Sequence, residues 1–210
     1  MRDLLSTLAS VLIFLLVRPG LAQNQDTTAA LVLACDQAAA SPTDKDRPVG
    51  LAGVPSGRLD SQNAIAACEA AAAAAPDNPR IMFQLGRAHA AAKADDSARA
   101  YFSKASDLGY AAAQASLGNF YASGRGGLAR NDDEALRLFK LAAEQGDPLG
   151  NNNLGFFYES GRGGLAKDDR EAVSYYMRAA DQGNAAGQNN LARFHQNGRG
   201  GLTSRGGTPL

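Results

Sequence analysis

Between residues 111 and 202, apolar and polar positions recur with a period of 37. Leu117-Gly118 returns as Leu154-Gly155 and as Leu191-Ala192. The loop Gly124-Arg125-Gly126-Gly127-Leu128 returns unchanged at 161–165 and 198–202. Asp132, Ala135, Phe139, Ala142 and Gly146 map onto Asp169, Ala172, Tyr176, Ala179 and Gly183. Self-similarity of this length means stacked supersecondary units, each too small to bury its apolar face alone.

The spacing predicts two helices per unit. Helix A covers about 111–123, 148–160 and 185–197. Gln114, Leu117, Gly118 and Tyr121 fall on one face, with Leu154, Gly155 and Tyr158 at the same places in the next unit. Glycine inside a helix costs about 1 kcal/mol against alanine, which suits a site where a neighbouring helix must come close. Helix B is expected to start at Asp132 and Asp169, read as N-caps whose carboxylates accept from free backbone amides. It should bury Ala135, Leu138, Phe139 and Ala142 and stop at Gly146 in the left-handed conformation.

Upstream the period continues with changes. Asp95, Ala98, Phe102, Ala105 and Gly109 predict a B helix at about 96–108, and Leu85-Gly86 marks its A helix. The connecting loop is five residues shorter than in the later units and lacks the glycine-rich segment, so this unit reads as an ordinary tetratricopeptide repeat. Residues 64–71 resemble another B helix, ended by Pro76 and Pro79, and 26–40 predict one more helix. Between them, 41–60 is rich in Pro, Gly and Asp and is the long irregular stretch.

Alanine at 113 or so, Leu-Gly, Tyr, the Gly-x-Gly-Gly-Leu loop, Asn/Asp-Asp, Ala, Phe/Tyr, Ala-Ala and Gly in register resemble the Sel1-like repeat, a relative of the tetratricopeptide repeat. The resemblance covers about 111–202 and implies an all-α, right-handed α/α solenoid. Such proteins are adaptors, often exported, with no chemistry of their own. The implied organisation is an N-terminal helix and irregular loop over 23–60, tetratricopeptide-like helices over 61–110, Sel1-like repeats over 111–202 and a tail over 203–210. The last unit departs from the pattern, with Ala192 for glycine, His195 for tyrosine and TSRGGTPL where a third helix B should follow. Two readings stay open: a chain shortened relative to longer relatives, or an open end that associates with something.

The N-terminus changes the picture of where the protein works. Arg2 precedes an apolar run from Leu4 to Val17, and Gly20-Leu21-Ala22 supplies small residues for signal peptidase. The run is shorter than the ~20 residues a spanning helix needs, so 1–22 reads as a signal peptide cleaved after Ala22. The mature chain is expected in the periplasm or secreted, and not integral to the membrane. Charge adds an exclusion: 21 basic and 21 acidic side chains balance, which argues against nucleic acid as a target.

Candidate chemistry is sparse. Cys35 and Cys68, the two cysteines, invite a disulfide in an exported chain, the alternative being two buried thiols that never meet. His195 takes the repeat's tyrosine position and is expected to pack between helices. No metal-ligand spacing, nucleophile–base pair or phosphate-binding loop is visible, so no cofactor is expected. Arg125, Arg162 and Arg199 should project along one edge, where an anionic partner could read them. Pointing away from the packed face of helix A are Asn119, Asn152, Phe156, Asn189 and Arg193, expected to line the concave side and hold a peptide or helix. The function expected is an exported interaction scaffold or regulatory adaptor, not an enzyme. Its partner would be a protein such as a membrane sensor or envelope assembly, with association through the open C-terminal repeat a further route. The alternatives are a cell-wall or β-lactam hydrolase, as suggested for cysteine-rich relatives, and a truncated non-functional product.

Overall fold

The structure, a computed structural model, describes residues 19–203, with side chains from residue 25 on. The helices are α1 (Pro19–Ala39), α2 (Ser61–Ala74), α3 (Pro79–Ala91), α4 (Asp95–Asp107), α5 (Ala111–Ser123), α6 (Asp132–Glu144), α7 (Pro148–Ser160), α8 (Asp169–Asp181) and α9 (Ala185–Asn197). They pack as consecutive pairs in an α/α solenoid. The expected A helices coincide with α5, α7 and α9. The predicted signal peptide falls largely outside the described residues. Among those described, no helix is long and apolar enough to cross a membrane.

The pairs α3/α4, α5/α6 and α7/α8 are complete units, and α9 is the A helix of the next. Helix α1 packs on α2 and on α3, so it serves as the A helix of a unit whose B helix is α2. The irregular stretch 40–60 is then an unusually long A-to-B connection. Helix α5 packs on α7 and α7 on α9, whereas no comparable contact joins α4 to α6 or α6 to α8. The stack therefore curves with its A helices on the inner side.

Helix starts follow local chemistry. Asn78 caps α3 by accepting from the amides of Arg80 (3.1 Å) and Ile81 (3.4 Å), and Pro79 occupies the first turn, where a missing N–H is harmless. For α6 and α8 the expectation of Asp132 and Asp169 as caps is corrected. The caps are the preceding residues, Asn131, accepting from Glu134 N at 3.0 Å, and Asp168, accepting from Glu171 N at 3.1 Å. Asn131 and Asp168 take the extended conformation a cap needs, φ −143° in both, which makes the next residue the first helical one. The carboxylates of Asp132 and Asp169 are thereby left to bond elsewhere.

Close approach explains the glycine of helix A. A Cβ on Gly118 would lie 2.6 Å from Cε1 of Phe139, on Gly86 2.5 Å from Phe102 and on Gly155 2.9 Å from Tyr176. Each B-helix aromatic thus rests on the backbone of its own A helix. It then meets, edge-on, a phenylalanine of the following A helix: Phe102–Phe120 at 5.6 Å, Phe139–Phe157 at 5.1 Å and Tyr176–Phe194 at 5.5 Å. Every ring in these pairs is buried.

At the N-terminal end the core is made of small residues instead. Ala39, Ala64 and Ala71 are fully buried, and Cys35 and Cys68 are joined across α1 and α2. The bond closes a span of 33 residues, for which the chain-entropy relation gives roughly 3–4 kcal/mol. Replacing both cysteines by alanine should lower the thermal midpoint by roughly 10 °C. Circular dichroism melts with and without a dithiol reductant check this: the wild type should fall on reduction and the double variant should not.

Candidate interaction surface

The loop arginines do not form a free row, which corrects the expectation of an edge open to an anionic partner. Each reaches back 30 residues to the aspartate that opens the previous B helix. Arg125 binds both carboxylate oxygens of Asp95 (3.0 and 2.5 Å), and Arg199 those of Asp169 (2.8 and 2.6 Å). Arg162 does the same to Asp132 (2.8 and 2.5 Å) and adds a bond to Ala122 O at 3.0 Å. The carboxylates of Asp95 and Asp132 are held below the usual range, chiefly by these arginine hydrogen bonds. Each guanidinium also lies over the phenylalanine that receives the B-helix ring: Arg125 on Phe120 at 4.6 Å, Arg162 on Phe157 at 4.7 Å and Arg199 on Phe194 at 4.3 Å. For the loop to settle this close, Gly126, Gly163 and Gly200 must lack a Cβ, which would sit 2.6–2.8 Å from the carbonyl of the same aspartate.

On the inner face, amides are joined to one another across the A row. Asn190 of α9 donates to Asn152 of α7 (3.0 Å), Asn152 to Asn153 (3.3 Å), and Asn153 to Asn119 of α5 (2.8 Å). Asn119 and Asn152 therefore act between repeats, and Asn152 is buried. Arg193 pairs with both oxygens of Glu159 (2.8 and 2.7 Å), which also accepts from Arg199 (2.9 Å) and the Tyr176 hydroxyl (2.8 Å). These bonds, that of Arg193 foremost, bring Glu159 down to about 2. Phe156, 43% exposed, and the exposed Asn189 remain open to solvent.

The tyrosine position of helix A carries His89, Tyr121, Tyr158 and His195 in successive units. His89 stacks on Tyr101 at 5.2 Å, and Tyr158 on Tyr175 at 5.5 Å. His195 is exposed, contrary to the expected packing, because no B helix follows α9 among the described residues to cover it; Ala192 is exposed for the same reason. Leu117 and Leu154 are buried as expected. With Cys35 and Cys68 bonded to each other, neither carries a thiol for nucleophilic work.

Sequence reasoning missed the polar clamps around 40–58. Asp36 of α1, 2% exposed, accepts from Arg80 (3.0 and 3.1 Å) and from Gln84 (2.7 Å), both on α3. Arg87, also on α3, donates to Ala39 O and to Val54 O. The Tyr110 hydroxyl donates to buried Asp44 at 2.6 Å. Asp147, the cap of α7, is 2% exposed, and burial raises its carboxyl to about 6, with Asp44 adding repulsion. Tyr110 and Asp147 share a register position with Asn184, the residue before each A helix, but the bonds that Asp36, Arg87 and Tyr110 make across the stack do not recur with the period, so periodicity holds no signal for them. The Arg–Asp pairs did leave one: a constant offset of 30 in three successive units.

Arg162 is less exposed than Arg125, 21% against 47%. Arg162→Ala should therefore cost about 2–3 kcal/mol and Arg125→Ala about 1 kcal/mol or less, read from urea denaturation. Equal losses would mean that burial does not grade these clamps.

The pH profile follows from opposite shifts. Asp147 has a raised carboxyl, so its contribution is fully present below the unfolded value near 4 and is lost as pH rises through about 6. Asp95, Asp132 and Glu159 are depressed, so theirs is present above about 4 and lost in more acidic solution. The melting temperature should peak near pH 5. Asp147→Asn keeps a capping side chain and should gain about 2–3 kcal/mol at pH 7 while flattening the profile between 5 and 7.

A family model described as Sel1 repeat matches residues 82–110, 111–147, 148–184 and 185–205, more than half of the chain. The first segment includes the unit expected to be an ordinary tetratricopeptide repeat. Two solved structures are similar. One, a Sel1 repeat protein from Oxalobacter formigenes, is 27% identical with a TM-score of 0.60 over 90% of this chain and 68% of that one. The other, c5321, a protective antigen present in uropathogenic Escherichia coli strains, is 26% identical with a TM-score of 0.59 over 87% of this chain. That match takes in 36% of c5321, so this chain corresponds to about a third of it. No curated protein matches.

Proposed function

Because the chain belongs to the Sel1 repeat family, we propose that it is a protein-binding scaffold or adaptor of the cell envelope, acting through the inner face of its A helices. The observation that carries this reading is the contrast along that face. Asn119, Asn152, Asn153, Asn190 and Arg193 are bonded to neighbouring repeats, whereas Phe156 stands 43% exposed beside the amide relay, with Asn189 open on the next A helix. An exposed aromatic ring on a rigid inner surface is a natural anchor for a partner's side chain. The Cys35–Cys68 bond fits an oxidising compartment outside the cytoplasm, as does the apolar N-terminal run read as a signal peptide. Non-enzymatic action is the reading in keeping with a repeat fold whose loop arginines, Asp95, Asp132, Asp169 and Glu159 are engaged in holding repeats together.

The test is capture from envelope extracts of the cells that make the protein, using the full chain and the Phe156→Ala/Asn189→Ala variant at matched folding. A protein partner should be retained by the wild type and at least ten-fold less by the variant. Equal retention would remove the inner face from consideration.

A further inference from the structure

Residues 40–58 connect α1 to α2, yet they are fastened to helices further along the stack. Arg87 on α3 donates to the carbonyls of Ala39 and Val54, the latter at 2.7 Å. Tyr110, the residue before α5, donates its hydroxyl to Asp44 at 2.6 Å, and Arg80 reaches Asp46 O at 3.5 Å. Asp44 is 5% exposed, whereas Lys45, Asp46, Val49, Gly50, Ala52 and most of 55–58 are exposed. One carboxylate and the carbonyls of Asp46 and Val54 thus hold a segment that, apart from Ala40 and Asp44, is exposed or half-exposed. Underneath it remains a cleft of about 410 Å³, with Ser41, Thr43 and Ser56 on the segment's side and Arg87, Ser116 and Asn119 on the A-helix side.

We propose that residues 40–58 are an intramolecular ligand of the inner face, and that a protein partner enters by replacing them with an extended acidic segment. That segment would give a carboxylate to Tyr110 and a main-chain carbonyl to Arg87, as Val54 does. This rests on the reading of the stack as a scaffold and names its partner class and its control. The argument is chemical. Apart from the Ala39 carbonyl, which belongs to α1 and stays with it, none of the fastening bonds depends on the segment's being continuous with the chain, and each is a bond that a peptide from another protein offers. Pro42, Pro48 and Pro55 withhold amide donors and, apart from the short 3-10 turn Ser56–Arg58, the segment forms no helix or strand. Few buried apolar contacts and an exposed backbone put it among the regions that open locally at low free energy. The Cys35–Cys68 bond brackets it, so it can lift away while α1 and α2 stay docked. Tethering gives it a high effective concentration, which a free competitor must overcome.

The probe is a labelled synthetic peptide with the sequence of residues 40–55, added to the full-length protein. Asp44→Ala in the protein unfastens the segment and leaves Tyr110 and Arg87 intact, so this variant should bind the peptide at least ten-fold more tightly than wild type. The same peptide with its aspartate at position 44 replaced by alanine should bind neither, and Tyr110→Phe added to Asp44→Ala should abolish the gain. Equal affinity for wild type and Asp44→Ala, or indifference to the peptide's aspartate, overturns the proposal. Hydrogen exchange on the wild type supplies a readout free of folding defects. Saturating peptide should speed exchange at the amides of Leu51 and Val54, which bond to Pro48 O and Ala40 O, while α3 to α5 keep their protection. No acceleration there also overturns it. A partner captured equally by wild type and Asp44→Ala would leave the scaffold standing and sink the latch; peptide binding with no captured partner would do the reverse.

Discussion

A guanidinium lying on a phenylalanine and gripping the aspartate at the start of the preceding B helix is the contact on which the repeat geometry depends. In a solenoid each unit touches only its neighbours, so stability and curvature are decided at the interfaces. Here every interface between the later units is built from one set of groups. Gly118 lets Phe139 lie against its own A helix, Phe139 meets the edge of Phe157 in the next, Arg162 covers Phe157, and Arg162 returns to Asp132 on the helix that carries Phe139. Asp132 and Phe139 lie on one face of α6, so a single helix face receives both the apolar and the charged half of the contact. At Arg162 and Asp132, 21% and 23% exposed, the pair is partly shielded from water and counts for more than the Arg125–Asp95 pair, whose arginine is 47% exposed.

The N-terminal pair α1/α2 lacks this interlock and is held by other means. Its core is alanine and a disulfide, and its link to α3 is the buried Asp36 bound by Arg80 and Gln84. Its A-to-B connection is long enough to fall across the inner face, where Arg87 and Tyr110 fasten it. The inner face is thus divided. The half around α3 and α5 is covered by the chain itself, and the half around α7 and α9 presents Phe156 and Asn189. In the scaffold proposed above, one portion of that face is exposed and the other lies under a segment held by a few polar bonds.

Some of this was legible beforehand and some was not, and particular residues show why. Glycine at 118 and 155 was readable as a close-approach site, because glycine in a helix face is unfavourable unless something needs the room. The cap reading of Asp132 and Asp169 failed because an acidic residue at a helix start serves its own amides or a distant cation equally well. Local sequence does not distinguish Asn131-Asp132 with the first as cap from the same pair with the second. Asn119, Asn152 and Arg193 were read as lining an open face, but neighbouring A helices and Glu159 supplied partners that one helical wheel does not contain, and Asn152 is buried.

What the sequence by itself determined was the repeat: its period, the bounds of α5, α7 and α9, and the small and aromatic positions that stack. These depend on interactions within a few turns of chain, repeated often enough to stand above chance. Tertiary structure decided which charges pair, a choice the recurring offset of 30 only hints at, and where residues 40–58 rest. A guanidinium finds its carboxylate, and Asp44 finds Tyr110, only after the helices have stacked, since groups 30 and 66 residues apart become neighbours by packing and not by spacing.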